Sequence, residues 1–260
     1  MDLHAFDNPE LLSTLFYPRA ADPNPTRDGR IIDGTVAVEK DVVIGYRLFK
    51  VPESRAVIIL YHGNGEIATD YNMIAPLYHD IQLSLMVVDF RGYGWSTGQP
   101  TVSSLIADVD PLHNALAEIM TASFPDNPFL LVMGRSLGSV PAIHMAYAYP
   151  NTFKGLIIES GFATPDPLLV RRGFSPDFYG GGADPIGNER KMTTLSLPLL
   201  VIHGEQDQLI PVAQGQALFD ASPAANKRIL RVAGAGHNNL LVYADRYFAA
   251  VDTFVTNLDA

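Results

Sequence analysis

Apolar residues fall along this chain in two distinct patterns. Thr35–Glu39 and Val42–Phe49 partly alternate apolar with polar positions, as half-exposed antiparallel strands do, and the short link between them suits a hairpin. Ala56–Tyr61, Ser84–Val88, Phe129–Met133, Gly155–Ile158 and Leu199–Ile202 are instead short and almost continuously apolar, with Ile229–Val232 a more exposed sixth candidate. Continuous hydrophobicity is what parallel strands buried on both faces require. Helix-like segments lie between them: Tyr71–His79, Val102–Ala122, Leu137–Tyr149, Ala213–Ala221 and Ala244–Leu258. Two strands followed by repeated strand–helix units predict an α/β fold, a mostly parallel sheet with helices on both faces and antiparallel strands at its beginning.

Two segments stand outside this alternation. The stretch up to about Gly29 carries Pro18, Pro23 and Pro25 among several aspartates and is expected to wrap the surface. From about Gly161 to Thr194 no helical or strand period holds. That stretch contains Gly180-Gly181-Gly182 and scattered apolar residues, Leu168, Leu169, Val170, Phe174, Phe178 and Tyr179. An irregular insert of this length in a compact domain is usually a lid or binding loop. It is expected to be a short cap insertion, at about 161–194, within a single domain spanning residues 1–260.

Ligands of an open parallel sheet gather beyond the carboxyl ends of its strands. Just past the expected strands stand His62-Gly63-Asn64-Gly65-Glu66, Asp89–Ser96, Gly134–Gly138, Glu159-Ser160-Gly161, His203–Asp207 and Gly234–His237. Serine, acid and histidine thus emerge on one edge. Gly134-Arg135-Ser136-Leu137-Gly138 matches the Gly-x-Ser-x-Gly nucleophile elbow and sits between a strand and a helix-like segment, the context that gives the motif meaning. The glycines leave room for a tight turn, and the following helix aims its positive end at developing negative charge.

A serine hydroxyl needs a base, and of seven histidines His237, in Gly-Ala-Gly-His-Asn after a strand, is the candidate. His62 more plausibly shapes an oxyanion loop, and His144 sits within the helix that follows the serine. The base needs a carboxylate. Asp207 gives the chain order serine, acid, histidine, with Glu205 its rival and Glu159 or Asp166 a third possibility. The oxyanion is expected to be held by the Leu137 N–H and by one from the glycine-rich loop, Asn64 first and Gly65 next. A phosphate-binding role for that loop is disfavoured because it lacks the lysine and hydroxyl residues of a P-loop.

Composition narrows the partners. A formal net charge of −10 argues against nucleic acid or an anionic membrane surface, which need basic patches. The absence of cysteine excludes disulfides, Cys-based zinc sites and a cysteine nucleophile. Residues 1–7 show no basic region followed by an apolar run, and no segment is long enough to insert in a bilayer, so a cytoplasmic location is expected.

With these residues in place the chain resembles the α/β-hydrolase family over nearly its whole length. The likeness rests on His62–Gly65, Asp89–Ser96, Gly134–Gly138, His203–Asp207 with Pro211, and Gly236-His237. It implies an eight-stranded sheet, a Ser136–His237–Asp207 triad, no cofactor, no metal, and a structural rather than catalytic Arg91. The minimal insert is similar to that of small-lid esterases and acyl hydrolases. The loop His-Gly-Asn-Gly-Glu differs from the His-Gly-Gly-Gly loop of the hormone-sensitive-lipase-like branch. Ser136 stands where family dehalogenases and epoxide hydrolases carry aspartate. The expected activity is hydrolysis of short or medium acyl esters, small-molecule substrates, through an acyl-enzyme. Thioesterase or peptidase chemistry on the same triad, or a non-catalytic ligand-binding protein on the same fold, are the alternatives. Trp95, Phe162, Phe178, Tyr179 and Leu240 are candidate pocket walls.

Overall fold

A computed structural model describes residues 3–175 and 184–259. Its strands are β1 (Ile31–Glu39), β2 (Val42–Phe49), β3 (Ala56–Tyr61), β4 (Leu83–Val88), β5 (Phe129–Arg135), β6 (Gly155–Glu159), β7 (Leu199–Gly204) and β8 (Lys227–Val232). They form one eight-stranded sheet in the order β1-β2-β4-β3-β5-β6-β7-β8. The β1–β2 and β2–β4 pairs are antiparallel and all the others parallel. Every residue of β3, β4, β6 and β7 is buried, whereas β8, at the edge, is buried only at Val232, so the continuously apolar runs do mark strands covered on both faces. β2, expected to be half-exposed, is instead buried from Ile44 to Phe49, because it lies between β1 and β4 rather than at the edge. β1 begins earlier than its alternation suggested because Ile31–Gly34 pair with Tyr46–Phe49.

Helices cover both faces. On β3, Val57, Ile59 and Tyr61 join one core and Ile58 and Leu60 the other, the strand period placing successive side chains on opposite sides. The first core packs beneath α3 (Val102–Ala107), α4 (Val109–Ser123) and α5 (Ser139–Ala148), and the second beneath α2 (Ala75–His79) and α9 (Ala244–Asp259). The segment expected as one helix from Val102 divides at Asp108. Pro111 has no N–H to bond the carbonyl one turn back, so it is tolerated only in the first turn of a new helix. The segment expected at Tyr71–His79 likewise divides, into a 3-10 turn Ala68–Met73 and α2, whose first turn holds Pro76.

The N-terminal stretch is not confined to the surface. Asn8 caps α1 (Pro9–Leu15) by accepting from the Glu10 and Leu11 N–H groups at 2.9 and 3.4 Å. Phe6, Leu11 and Phe16 are buried in the first core. Apolar content outweighs the local proline and aspartate.

In the insert, α6 (Asp166–Arg171) and α7 (Asn188–Met192) are short helices, and Gly180–Gly182 lie outside the described residues. The insert is tied down at both ends. Asn188 donates to the Phe162 carbonyl at 3.0 Å, and the Ala163 and Thr164 N–H groups both donate to Gln214 of α8 (Val212–Ala221), each at 3.0 Å.

Candidate active site

β5 ends in a sharp turn. Ser136 has φ +52°, in the left-handed region that L-residues avoid unless their surroundings enforce it. The neighbours supply that enforcement. A Cβ on Gly138 would lie 2.1 Å from the Tyr61 carbonyl oxygen, and one on Gly134 2.4 Å from that of Gly138. Only glycine lets β3, β5 and the start of α5 approach this closely, and the serine is left at the apex.

The loops after β7 and β8 are joined by backbone hydrogen bonds, Glu205 N–H to Val232 O (3.1 Å) and Gln206 N–H to Ala235 O (2.8 Å). That seam brings residues distant in sequence to Ser136. His237 Nε2 lies 2.9 Å from Ser136 Oγ, and His237 Nδ1 lies 2.7 Å from Asp207 Oδ2. A carboxylate only accepts, so the proton sits on Nδ1 and leaves Nε2 free to accept from the serine hydroxyl.

Asp207 is itself held. Its Oδ1 accepts the Leu209 and Ile210 N–H groups at 2.9 and 2.8 Å, and His203 Nε2 approaches Oδ2 at 3.4 Å. Burial pushes this carboxyl up, but hydrogen bonds from His203, His237 and the Ile210 N–H outweigh it and hold it well below the usual carboxylate range. The other acids considered are placed elsewhere. Glu205 is exposed, Glu159 is engaged by Arg135 and Tyr247, and Asp166 lies in the first turn of α6.

Of the glycine-rich loop, the Gly63 N–H donates to Glu66 Oε2 (2.9 Å), the Glu66 N–H to Gly63 O (3.2 Å), and the Gly65 N–H faces the Tyr93 hydroxyl. No turn, loop or side-chain acceptor is found among the described residues for the N–H of Asn64 or of Leu137. These two donors are available to a ligand. The Asn64 side chain fixes the loop. Its oxygen accepts from the Tyr93 hydroxyl (2.7 Å) and the Tyr17 N–H (3.1 Å), and its amide donates to the Leu15 carbonyl. Beneath the loop, buried His62 places Nδ1 2.8 Å from the Gly63 carbonyl and Nε2 3.3 Å from Asp89.

The expected pocket residues scatter. Trp95 does not join the site: its indole N–H donates to the Gly34 carbonyl (3.0 Å), its ring fills the space over Gly45, and the Arg47 guanidinium lies 5.6 Å from its centroid. It is a packing residue on β1 and β2. Phe162 is buried beside Leu137 in a small apolar pocket shared with Phe6, Leu15, Leu168 and Ile186. Leu240 is also buried, on the other side of the elbow, where it lines a cavity of about 200 Å³ with Arg135 and Tyr247. Phe178 and Tyr179 lie outside the described residues. Arg91 forks onto Asp108 at the α3–α4 break, its Nε and Nη2 at 2.9 and 2.6 Å, and serves packing.

The N-terminal strap over the glycine-rich loop had no sequence signal, since Leu15 and Tyr17 act through backbone groups. Among the described residues no group of three or more His, Asp or Glu is arranged to hold a metal ion, and no helix is long and apolar enough to cross a membrane.

Residues 52–175 match a family described as serine aminopeptidase, S33. The chain is similar to alpha/beta hydrolase domain-containing protein 17C of Mus musculus, 30% identical over 212 residues, 79% of this chain and 61% of that protein. It thus spans about three fifths of the length of the curated relatives it matches. Among solved structures it is similar in fold to an esterase of Pyrococcus furiosus, with a TM-score of 0.72, 16% identity, and 94% of this chain and 98% of that one covered. A monoacylglycerol lipase of Paleococcus ferrophilus gives 0.64 and 18%, covering 83% and 99%.

Proposed function

This chain belongs to the α/β-hydrolase family, and from that premise we propose that it is a serine hydrolase cleaving carboxylic esters of small molecules. The observation that carries the reading is the unbroken chain from Ser136 Oγ through His237 to Asp207, at 2.9 and 2.7 Å, together with two N–H groups, of Leu137 and Asn64, for which no acceptor is found among the described residues.

In this reading Ser136 Oγ attacks the ester carbonyl carbon while His237 Nε2 takes its proton. The carbonyl oxygen becomes an oxyanion held by the Leu137 and Asn64 N–H groups, fixed backbone donors of the kind that stabilise charge as it develops. His237 returns the proton to the leaving alcohol, and the acyl group remains on Ser136. Water, deprotonated by the same histidine, then releases the acid. Asp207 keeps the imidazole in the tautomer that accepts from Ser136 and stabilises the imidazolium.

In this reading the acyl group enters beside Leu137, where Phe162, Leu168, Leu169 and Ile186 of the insert line an apolar pocket of about 20 Å³, which favours short acyl chains over medium ones. Thioester and amide cleavage use the same steps, and a graded panel of esters, thioesters and amides ranks the three.

The test is Ser136→Ala assayed with p-nitrophenyl butyrate. Turnover is expected to fall by several orders of magnitude, and labelling by a fluorophosphonate probe to disappear. Wild-type rates in that variant overturn the assignment.

A further inference from the structure

We propose that Arg135 is a positioning residue for this site, one guanidinium that holds the oxyanion loop and the histidine loop in register with Ser136. The inference rests on the roles proposed above for Ser136, His237 and Asn64.

Arg135 occupies the variable position of the elbow between Gly134 and Ser136, and its side chain points to the opposite face of the sheet from α5. Its side chain is largely buried, with 14% of its surface exposed. Its Nη1 lies 3.2 Å from Glu66 Oε1, its Nε lies 3.1 Å from Glu159 Oε1, and its Nη2 donates to Asn238 Oδ1 (3.1 Å) and the His237 carbonyl (3.3 Å). One planar group therefore reaches the loop after β3, the end of β6 and the loop after β8. Its own backbone carries the nucleophile.

Two of these contacts lead to reacting groups. Glu66 Oε2 accepts the Gly63 N–H at 2.9 Å, which fixes the peptide preceding Asn64. The pull on the His237 carbonyl acts on the backbone of the base itself. The two carboxylates are anchored from behind, Glu66 by the Tyr71 hydroxyl (2.9 Å) and Glu159 by the Tyr247 hydroxyl (2.7 Å). Burial pushes the Glu66 carboxyl up, yet Arg135, His62, the Gly63 N–H and Tyr71 together hold it below the usual range, so the Arg135–Glu66 pair is charged at neutral pH.

The sequence around the hub is shaped to admit it. A Cβ on Gly63 would lie 2.8 Å from Arg135 Nη1 and 2.9 Å from Glu66 Oε1, so a larger residue there would displace the ion pair. A lysine offers a single point charge on a flexible stem and cannot span partners on three loops, whereas the guanidinium fork does so without rearrangement.

The test compares wild type with Arg135→Lys and, separately, with the double variant Glu66→Gln/Asn238→Ala, which frees two arms of the hub without leaving a buried carboxylate unpaired. Active sites are titrated with a fluorophosphonate, and kcat is expressed per titrated site. We expect kcat per site to fall on the order of ten- to a hundredfold in Arg135→Lys, with KM within about twofold, because misplacement of the reacting groups rather than loss of binding is the defect. The double variant is expected to move in the same direction. If Arg135 only stabilised the fold, Arg135→Lys would lower the melting temperature and the number of titratable sites but keep wild-type kcat at each, and that result overturns the proposal. Should Arg135→Lys not fold, an unchanged kcat in the double variant overturns it equally. A wild-type protein that neither labels nor hydrolyses any ester of the panel overturns the serine-hydrolase reading and this inference with it, whereas active wild type with indifferent variants overturns this inference alone.

Discussion

The Tyr17 backbone N–H donates to the side-chain oxygen of Asn64 at 3.1 Å, tying the N-terminal segment to the glycine-rich loop across 47 positions of sequence. Arg19 reinforces the tie, its Nε donating to the Gly65 carbonyl at 2.8 Å while the same guanidinium pairs with Asp70. The loop proposed to hold the oxyanion is therefore fixed from outside by a strap and from beneath by His62.

Asn64→Ala keeps the backbone N–H but removes the side-chain bonds to Tyr17, Tyr93 and Leu15 that aim it. Turnover of p-nitrophenyl butyrate should fall by about tenfold or more with KM little changed, a positioning loss smaller than deletion of a donor outright. Unchanged kcat would place the second oxyanion donor elsewhere in the loop.

Asp207→Asn should cost on the order of 10⁴ in kcat by presenting the wrong tautomer of His237 to Ser136. The same carboxyl makes a pH signature. Its folded value is held below the ordinary 3.8, so the stability it contributes is fully present above about pH 4 and is lost as pH falls below that toward the folded value. Urea denaturation between pH 5 and 2.5 (roughly the window set by that shift) should show a steeper acid loss in wild type than in Asp207→Asn. Equal slopes would mean the carboxyl is not held ionised by its neighbours.

Lys191 gives the opposite case. Its Nζ is buried with no hydrogen-bond partner among the described residues, and burial, aided by the nearby Arg190 charge and only partly offset by Asp184, pushes its ammonium down to about 8 from 10.5. The unfolded chain then binds more protons between these two values, so stability rises with pH from about 8 to 10.5 and is reduced, by about 3 kcal/mol at most, below that window. Lys191→Met should raise the melting temperature at neutral pH and flatten the alkaline rise. A destabilised, still pH-dependent variant contradicts this.

Gly138→Ala would bring a methyl to 2.1 Å from the Tyr61 carbonyl oxygen, backbone that cannot turn away. The elbow must shift or β3 must move, at a cost of about 2 kcal/mol or more. A melting temperature lowered by several degrees together with loss of fluorophosphonate labelling is the expected result, and wild-type values for both would show that the turn has slack.

Strand identity, strand type and the edge on which chemistry gathers were legible along the chain. Whether a residue is buried on one face or two is written into its immediate neighbours, as Ala56–Tyr61 shows against Lys227–Val232. The Gly-x-Ser-x-Gly turn was legible for the same reason, since the steric demand that makes it comes from residues within four positions and one adjacent strand. Helix boundaries were less so: the break at Asp108 follows from Pro111, but an apolar stripe runs through it without interruption.

What the chain alone determined, then, is the order and type of the strands and the residue types at their carboxyl ends, because periodicity, turn residues and chain order are local; α1, α6 and α7 carried no such period. Tertiary structure decided which distant groups meet. Trp95 suits a substrate wall or a core equally well, and the space over Gly45 beside Arg47 settles it as packing. Asp207 was separated from Glu205 by the direction of a single turn. The Arg135 hub and the strap of Leu15 and Tyr17 join loops from opposite ends of the sequence. Such pairing depends on where folded loops come to rest, and no pattern within any one of them carries it.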